Sequence, residues 1–511
     1  MIWHKLTSLF LLFRNTYGES SGISISRIVS AQGSLLLDEL GRARIFRGTN
    51  VVSKVFPYVP DTSDSADPLL SFNHRDVNIL AEQGVTAIRL GVLWAGVEPT
   101  KGSYNQTYLA ELSKIVQMCS DVGIYVLLDF HQDILSEKFC GQGVPPYIAE
   151  INPYIESTQK GFPLPLTQTR YDTITNERPS KSDCNRFYQT WGLYEMTYAA
   201  SYSYQQLYEK GQVRDAFIAF WTLVAKTFLP FNNILGYDII NEPFGGDIYA
   251  DPKRLNPIYA NKNDLQPFYD VVSSAIRAVD PNAIIHFESV TMIQKDVGFT
   301  SVPGGEEYAS KSVFNFHYYS TVQREYSVNE TIGFRVDTAK SLNCGAFFGE
   351  YEMGWGTYGD NIPNILKTLQ AADAHLISAT GWDFKDYVPK DAFVITGANN
   401  GLIDPEDGQV RSDFVTVFSR PYAHTIAGTP KSMEYIDSRR EFLLVFVFNG
   451  KSGASGTTEI RGNFGIIYSD GYDVKVTDGF RAVFVDNSRI HIVPVKEGQG
   501  NVVVTFQMLP K

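Results

Sequence analysis

A chain of 511 residues with 44% hydrophobic and 20% charged content has the composition of a globular protein with room for more than one domain. Its net charge of −12, with 44 Lys and Arg against 56 Asp and Glu and no basic run, argues against nucleic acid as a partner. Four cysteines are too few for a disulfide scaffold and lack zinc spacing, which also excludes a structural zinc fold. At the N-terminus, Lys5 precedes the apolar stretch Leu6–Phe13, and the small residues Gly18, Ser20 and Ser21 follow. Residues 1–22 read as a signal peptide too short to span a bilayer, so the protein is expected to be secreted or lumenal. In an exported chain Cys140 and Cys184, which share one long polar stretch, are expected to pair, while Cys119 and Cys344 read as buried thiols.

From about residue 45 to 385, short apolar runs alternate with amphipathic stretches. The strands read as Arg44–Val51, Ala87–Leu90, Tyr125–Asp129, Leu235–Ile240, Ala283–Phe287, Val313–Phe316, Ala346–Gly349 and Ala379–Trp382. Helical periodicity runs over Asp76–Glu82, Tyr108–Ser120, Ala216–Thr227, Pro267–Ala278 and Ile362–Ala372. This pattern is that of an α/β protein, a (β/α)8 TIM barrel over residues 30–425, and no G-x-G-x-x-G loop follows the first strand to suggest a doubly wound sheet. Between Asp129 and the helical stretch near Tyr194 lies a connection rich in Pro, Thr, Tyr and Asn, which a barrel places over its substrate-binding face. Residues 426–511 change texture. Glu441–Phe448, Thr457–Arg461, Tyr472–Val476, Arg481–Val485, Arg489–Val495 and Asn501–Gln507 alternate between turn residues, as in an all-β sandwich domain with no helix.

The chemistry concentrates at the ends of the barrel strands. Ile239-Ile240-Asn241-Glu242-Pro243 and Ala346-Phe347-Phe348-Gly349-Glu350 each close an apolar strand on a carboxylate, and two carboxylates across a cleft are what cleavage of a glycosidic bond requires. Other strand ends supply Lys54, Arg89, His131, Asp133, His317, Tyr319 and Trp382. Glu352 competes with Glu350 because two residues on one strand face the same way; the apolar strand is expected to end at Gly349, which favours Glu350 at the mouth. His131 with Asp133 lacks the further ligands of a metal site, and no G-x-S-x-G elbow is present. Neither a metal nor another cofactor is therefore expected.

Asn241-Glu242-Pro243, Glu350, Arg89 and His317-Tyr318-Tyr319 resemble family 5 of the glycoside hydrolases, in the retaining β-glycosidase clan. Phe130-His131-Gln132-Asp133, the extension to Phe244-Gly245-Gly246, Gly349-Glu350-Tyr351 and the appended β domain are similar to its endoglycoceramidase branch. The resemblance covers roughly residues 30 to 505 and implies cleavage between oligosaccharide and ceramide. It also implies Glu242 as general acid/base and Glu350 as nucleophile, about 5–5.5 Å apart. By the same resemblance, Asn241 and Tyr319 hydrogen-bond the sugar and the nucleophile, Trp382 floors the reacting subsite, and Lys54, His131 and Asp133 bind sugar hydroxyls. Arg89 and His317 support the two glutamates. The expected partner is a glycolipid, with transient contact to a membrane or micelle, and Phe244, Trp355 and Tyr358 are candidates for its apolar groove. Enzymes of the same clan that act on glucosylceramide, steryl glucoside or a β-glucan share both glutamates, and so remain alternatives. A sugar-binding protein without catalysis is disfavoured because both carboxylates are intact.

Overall fold

The computed structural model describes residues 25–150, 160–161, 166–167, 188–291, 295–320, 325–353, 361–389, 401–404, 408–495 and 498–509. The expected signal peptide, most of the long third connection, Cys184, Trp355 and Tyr358 lie outside these residues. Eight parallel strands close into a barrel: Arg47–Val51, Ala87–Gly91, Tyr125–Asp129, Ile234–Asp238, Ile285–Phe287, Ser312–Tyr318, Gly345–Glu352 and Ser378–Trp382. They are barrel strands 1 to 8 in chain order. Every residue in them is buried, because helices cover the outside and side chains fill the inside, and this is why they read as continuous apolar runs.

The covering helices follow their apolar stripes. The helix His74–Glu82 starts at a capping box between Asn73 and Asp76 and buries Val77 and Leu80. Asp76 also ion-pairs with buried Lys385 at 2.6 Å, tying that helix to the connection after barrel strand 8. The helix Val328–Ser341, between barrel strands 6 and 7, has a weaker apolar stripe than its neighbours. Its sequence signal is the Ser327–Glu330 capping box.

The predicted strand Arg44–Val51 is two strands. Ala43–Arg44 belongs to the β domain and Arg47–Val51 to the barrel. Arg44 turns away to meet Asp38 and Tyr125, and the Ile45 amide donates to the His424 carbonyl. Ile28–Gln32, Leu35–Asp38 and Ala43–Arg44 thus join Tyr422–Ile426, Thr458–Arg461, Arg489–Pro494 and Phe480–Asp486 in one seven-stranded sheet. Residues 30–44, assigned to the barrel by sequence, pair with the β domain instead. Ala31 and Leu36 from this segment, with Ile28 just before it, pack on Leu127, Leu235 and Phe347 and plug the N-terminal end of the barrel. Burial of Ile28 and Leu36 contributes about 1.5–3 kcal/mol each.

A second sheet, Gly428–Ile436, Glu441–Phe448, Asn501–Met508 and Tyr472–Val476, faces the first across a separate apolar core containing Phe442, Leu444, Phe446, Ile460, Ile490 and Phe506. The domain is not free of helix: Phe464–Ile467 forms one turn, capped where the Asn463 side chain accepts from the Ile466 amide. Among the described residues no helix is long and apolar enough to cross a membrane. Cys140 is disulfide-bonded, and Cys119 and Cys344 are free and buried.

Candidate active site

Glu242 follows barrel strand 4 with φ of 40°, a left-handed conformation disfavoured for a residue with a Cβ. Its own backbone hydrogen bonds hold it there. The Glu242 amide donates to Glu288 Oε2 at 3.1 Å, and its carbonyl accepts from Gln132 Nε2 at 3.0 Å. The same Gln132 nitrogen donates to the Asn241 carbonyl at 2.7 Å, while Asn241 Nδ2 returns a bond to the Gln132 carbonyl at 2.9 Å. The Asn-Glu turn is thereby locked to the third connection.

Glu350 reaches the same place by a different device. Phe347 of barrel strand 7 points into the barrel and Phe348 points out to the helices, so strict alternation would send residue 350 outward. The register slips between Phe348 and Tyr351, and against barrel strand 6 Phe316 pairs with Phe348 but His317 with Glu350. This one-residue bulge around Gly349 turns Glu350 inward. A side chain at Gly349 would lie 2.4 Å from Asn315 Oδ1, so only glycine fits. The strand does not end at Gly349 as expected from sequence; it continues to Glu352. Glu352 instead accepts from the Ser320 amide at 3.1 Å and the Ser320 hydroxyl at 2.6 Å.

Both oxygens of Glu350 are held, Oε1 by Arg89 at 2.8 Å and Oε2 by the Tyr319 hydroxyl at 2.6 Å. His317 Nδ1 lies 2.8 Å from Glu242 Oε1 and 3.5 Å from Glu350 Oε2, bridging the two carboxylates. One atom from each of Glu242, His317 and Glu350 fall within 4.8 Å of one another. An oxygen-to-oxygen approach of this size fits the about 5–5.5 Å carboxyl separation of a direct-attack pair. The trio is also compact enough to hold a metal ion, but its imidazole nitrogen already engages Glu242.

Beneath the pair, wholly buried Arg89 contacts four carboxylates: Asp129 at 2.9 Å, Asp238 at 2.9 Å, Glu288 at 3.2 Å and Glu350 at 2.8 Å. It also donates to Asn241 Oδ1 at 2.9 Å. Burial opposes the Arg89 charge, yet these carboxylates hold its value well above the ordinary one. His317 is likewise raised well above its usual range, because Glu288, Glu350 and Glu242 outweigh burial. Burial and its acidic neighbours Glu288 and Asp129 push Asp238 well above the usual carboxyl range despite the opposing pull of Arg89. Burial also raises Glu350, with His317 and Arg89 pulling against it.

The remaining sequence-predicted residues form the adjoining wall. Lys54 Nζ lies 2.6 Å from Asp133 Oδ2 and 4.3 Å from the Trp382 ring centroid. His131 stacks on Trp382 at 5.2 Å and hydrogen-bonds Asp129 at 2.8 Å. Although burial opposes it, Lys54 and His131 hold the Asp133 carboxyl far below its ordinary value. An aromatic face beside paired polar groups is the makeup of a sugar subsite. Phe244, a candidate for the lipid groove, is 7% exposed and packs against Tyr204, so it belongs to the core.

Matches to known proteins agree with this architecture. The cellulase model of glycosyl hydrolase family 5 matches residues 73–388, and the family 5 C-terminal domain matches residues 420–505. The chain belongs to glycoside hydrolase family 5. Within that family it is 34% identical to an endoglycoceramidase of Cyanea nozakii over 88% of this chain and 86% of that protein. It is 33% identical to an endoglycoceramidase of Hydra vulgaris over 94% and 89%. Endo-glycoceramidase II from Rhodococcus sp., solved in complex with ganglioside GM3, shares its fold with a TM-score of 0.69 at 20% identity, covering 93% of this chain and all of that one.

Several residues of this family 5 site escaped the sequence reading. Glu288 contacts Arg89, His317 and the Glu242 amide, and it follows barrel strand 5 as Glu350 follows Phe347-Phe348-Gly349, so the same apolar-run-then-carboxylate signal was available. Asp129 and Asp238 close barrel strands 3 and 4 but carried no distinguishing signal. Glu195 was also missed. It meets the Tyr204 hydroxyl at 3.1 Å, and that hydroxyl lies 2.8 Å from Gln132 Oε1. Burial, with Glu242 and Asp133 nearby, pushes Glu195 up to about 8 against the pull of its Tyr204 hydrogen bond.

Proposed function

We propose that the protein is a retaining endo-β-glycosidase that hydrolyses the bond between the oligosaccharide and ceramide of glycosphingolipids. The observation that carries this reading is the close Glu242–Glu350 pair, bridged by His317, with both Glu350 oxygens oriented by Arg89 and Tyr319. A Glu350 oxygen attacks the anomeric carbon while protonated Glu242 gives its proton to the glycosidic oxygen, and ceramide leaves with that proton. Water then enters on the vacated side. Glu242, now ionised, takes its proton as the water oxygen attacks the glycosyl ester; Glu350 leaves and the anomeric configuration is restored. Asn241 Nδ2 gives one hydrogen to the Gln132 carbonyl, and its second is assigned to the sugar 2-hydroxyl.

The choice of a lipid aglycone over a β-glucan is supported by the endoglycoceramidase relatives, which align along most of both chains. Phe56 supports contact with a micelle or membrane: it is 73% exposed and lies two residues beyond Lys54, beside the proposed sugar wall. Export to a lumenal or extracellular compartment is part of the proposal, supported by the disulfide at Cys140 and the apolar N-terminal stretch. The test is product analysis with a ganglioside, glucosylceramide and carboxymethylcellulose as separate substrates. Intact oligosaccharide and free ceramide from the ganglioside are expected. Cleavage of only glucosylceramide or cellulose would leave the two-glutamate chemistry in place and refute the substrate.

A further inference from the structure

At the end of the barrel opposite Glu242 and Glu350, a cavity of about 440 Å³ opens between the barrel floor, the N-terminal strands and the β domain. Its walls carry Arg42, Arg44, Arg461 and Arg489, with Glu459 and His491. The arginines outnumber their counter-charges. Arg42 and Arg44 share Asp38 at 2.8 and 3.1 Å, Arg461 pairs with Glu459 at 2.7 Å, and Arg489 pairs with Asp486 at 2.6 Å. Glu459 is shared again, with His491 at 2.8 Å. Among the described residues, four guanidinium groups thus face three carboxylates, leaving positive charge over.

The hydrogen-bond inventory of these arginines is incomplete as well. Arg461 is 4% exposed, and among the described residues only its Nε is bonded, to Glu459; both terminal nitrogens are open. Arg44 is 3% exposed and its Nε is buried without a partner. His424 does not supply the missing acceptor. Its Nδ1 faces the Ile45 carbonyl at 2.9 Å and its Nε2 faces Arg44 at 2.5 Å, the arrangement of a neutral imidazole already in use. The open terminal nitrogens of Arg461 face the cavity and the surplus guanidinium charge lacks a counter-ion, and one anion in the cavity satisfies both.

We propose that this cavity is a binding site for a phosphate- or sulfate-type oxyanion, held between Arg44 on the N-terminal strands that plug the barrel and Arg461 on the C-terminal strands of the same sheet. Guanidinium forks match the oxygens of such anions, and a tetrahedral anion accepts from both sides at once. The occupant is a soluble anion and not a lipid headgroup, because a headgroup bound here would turn the catalytic mouth away from the bilayer. Bound anion then clamps the β domain to the plug that closes the barrel.

The experiment is a thermal melt of the full-length protein in increasing sodium phosphate, and in parallel sodium sulfate, with ionic strength held constant by sodium chloride. A melting temperature that rises by a few degrees and saturates in phosphate or sulfate is expected, with no rise in chloride alone. Arg461→Gln is expected to abolish the rise, and Arg489→Gln, a partly exposed position, to shift its midpoint to several-fold higher phosphate. Should Arg461→Gln not fold, Arg461→Lys and Arg489→Gln serve, and isothermal titration of phosphate into the unaltered protein gives the binding directly. An equal rise in chloride, an unaltered rise in the folded variants, or no heat of phosphate binding overturns the site. Sedimentation with phosphatidic acid vesicles, without any phosphate-dependent stabilisation, overturns the soluble occupant.

Discussion

Glu195 offers the sharpest test of how the acid/base glutamate is held. The Tyr204 hydroxyl has one hydrogen and two acceptors in reach, Gln132 Oε1 at 2.8 Å and Glu195 Oε1 at 3.1 Å. Ionised Glu195 competes for that hydrogen. Protonated Glu195 donates to the Tyr204 oxygen instead and leaves the hydrogen for Gln132, whose amide nitrogen pins the Asn241 and Glu242 carbonyls. With its value at about 8, Glu195 is the protonated donor at neutral pH. The ionisable groups around it are Tyr204, Tyr208, Glu242 and Asp133.

The folded protein keeps this proton above 4.5, where an unfolded chain loses it, so stability falls as pH rises from there to about 8. The ceiling on that loss is about 5 kcal/mol, lowered by the partial exposure of the side chain. Glu195→Gln supplies a permanent donor. We predict that it turns over near neutrality, extends the alkaline limb of kcat/KM, and gains stability relative to the unaltered protein between these two pH values. Tyr204→Phe breaks the chain and is expected to cost about 1 kcal/mol, or roughly fivefold in kcat/KM, without a further loss on adding Glu195→Gln. His317 is the same in both proteins, so the difference between their profiles belongs to Glu195. An unchanged alkaline limb and a stability difference independent of pH would refute the reasoning.

Glu350→Gln is expected to abolish turnover while Glu352→Gln folds and stays active, read from steady-state rates on a ganglioside; equal inactivity of a folded Glu352→Gln would reverse the nucleophile assignment. In Glu242→Ala, azide should restore part of the activity by entering where water attacks, and the glycosyl azide is detectable by mass spectrometry. Tyr319→Phe removes a 2.6 Å bond to the nucleophile. Hydrogen bonds to charged groups are worth about 1.5–3 kcal/mol, so kcat should fall about 10- to 150-fold. Early product examined by NMR should carry the substrate's anomeric configuration, and inversion would exclude the covalent intermediate.

The barrel was legible because its strands are buried on both faces and its catalytic groups sit at their ends, where an apolar run meets a polar residue. Glu242, His317 and Glu350 carry that local signature. What stayed hidden depends on closure of the ring. Asp129 and Asp238 look like any acid closing a strand until Arg89 arrives from elsewhere in the barrel. Residues 30–44 were read as barrel because sequence shows one buried face but not which layer buries it. Gly349 is the most instructive case. Glu350 was chosen over Glu352 on the expectation that the strand stops at Gly349, yet the strand continues and a bulge selects between inward and outward. An alternation count through that strand points Glu350 away from the mouth, and only the pairing register, a property of three neighbouring strands, turns it back.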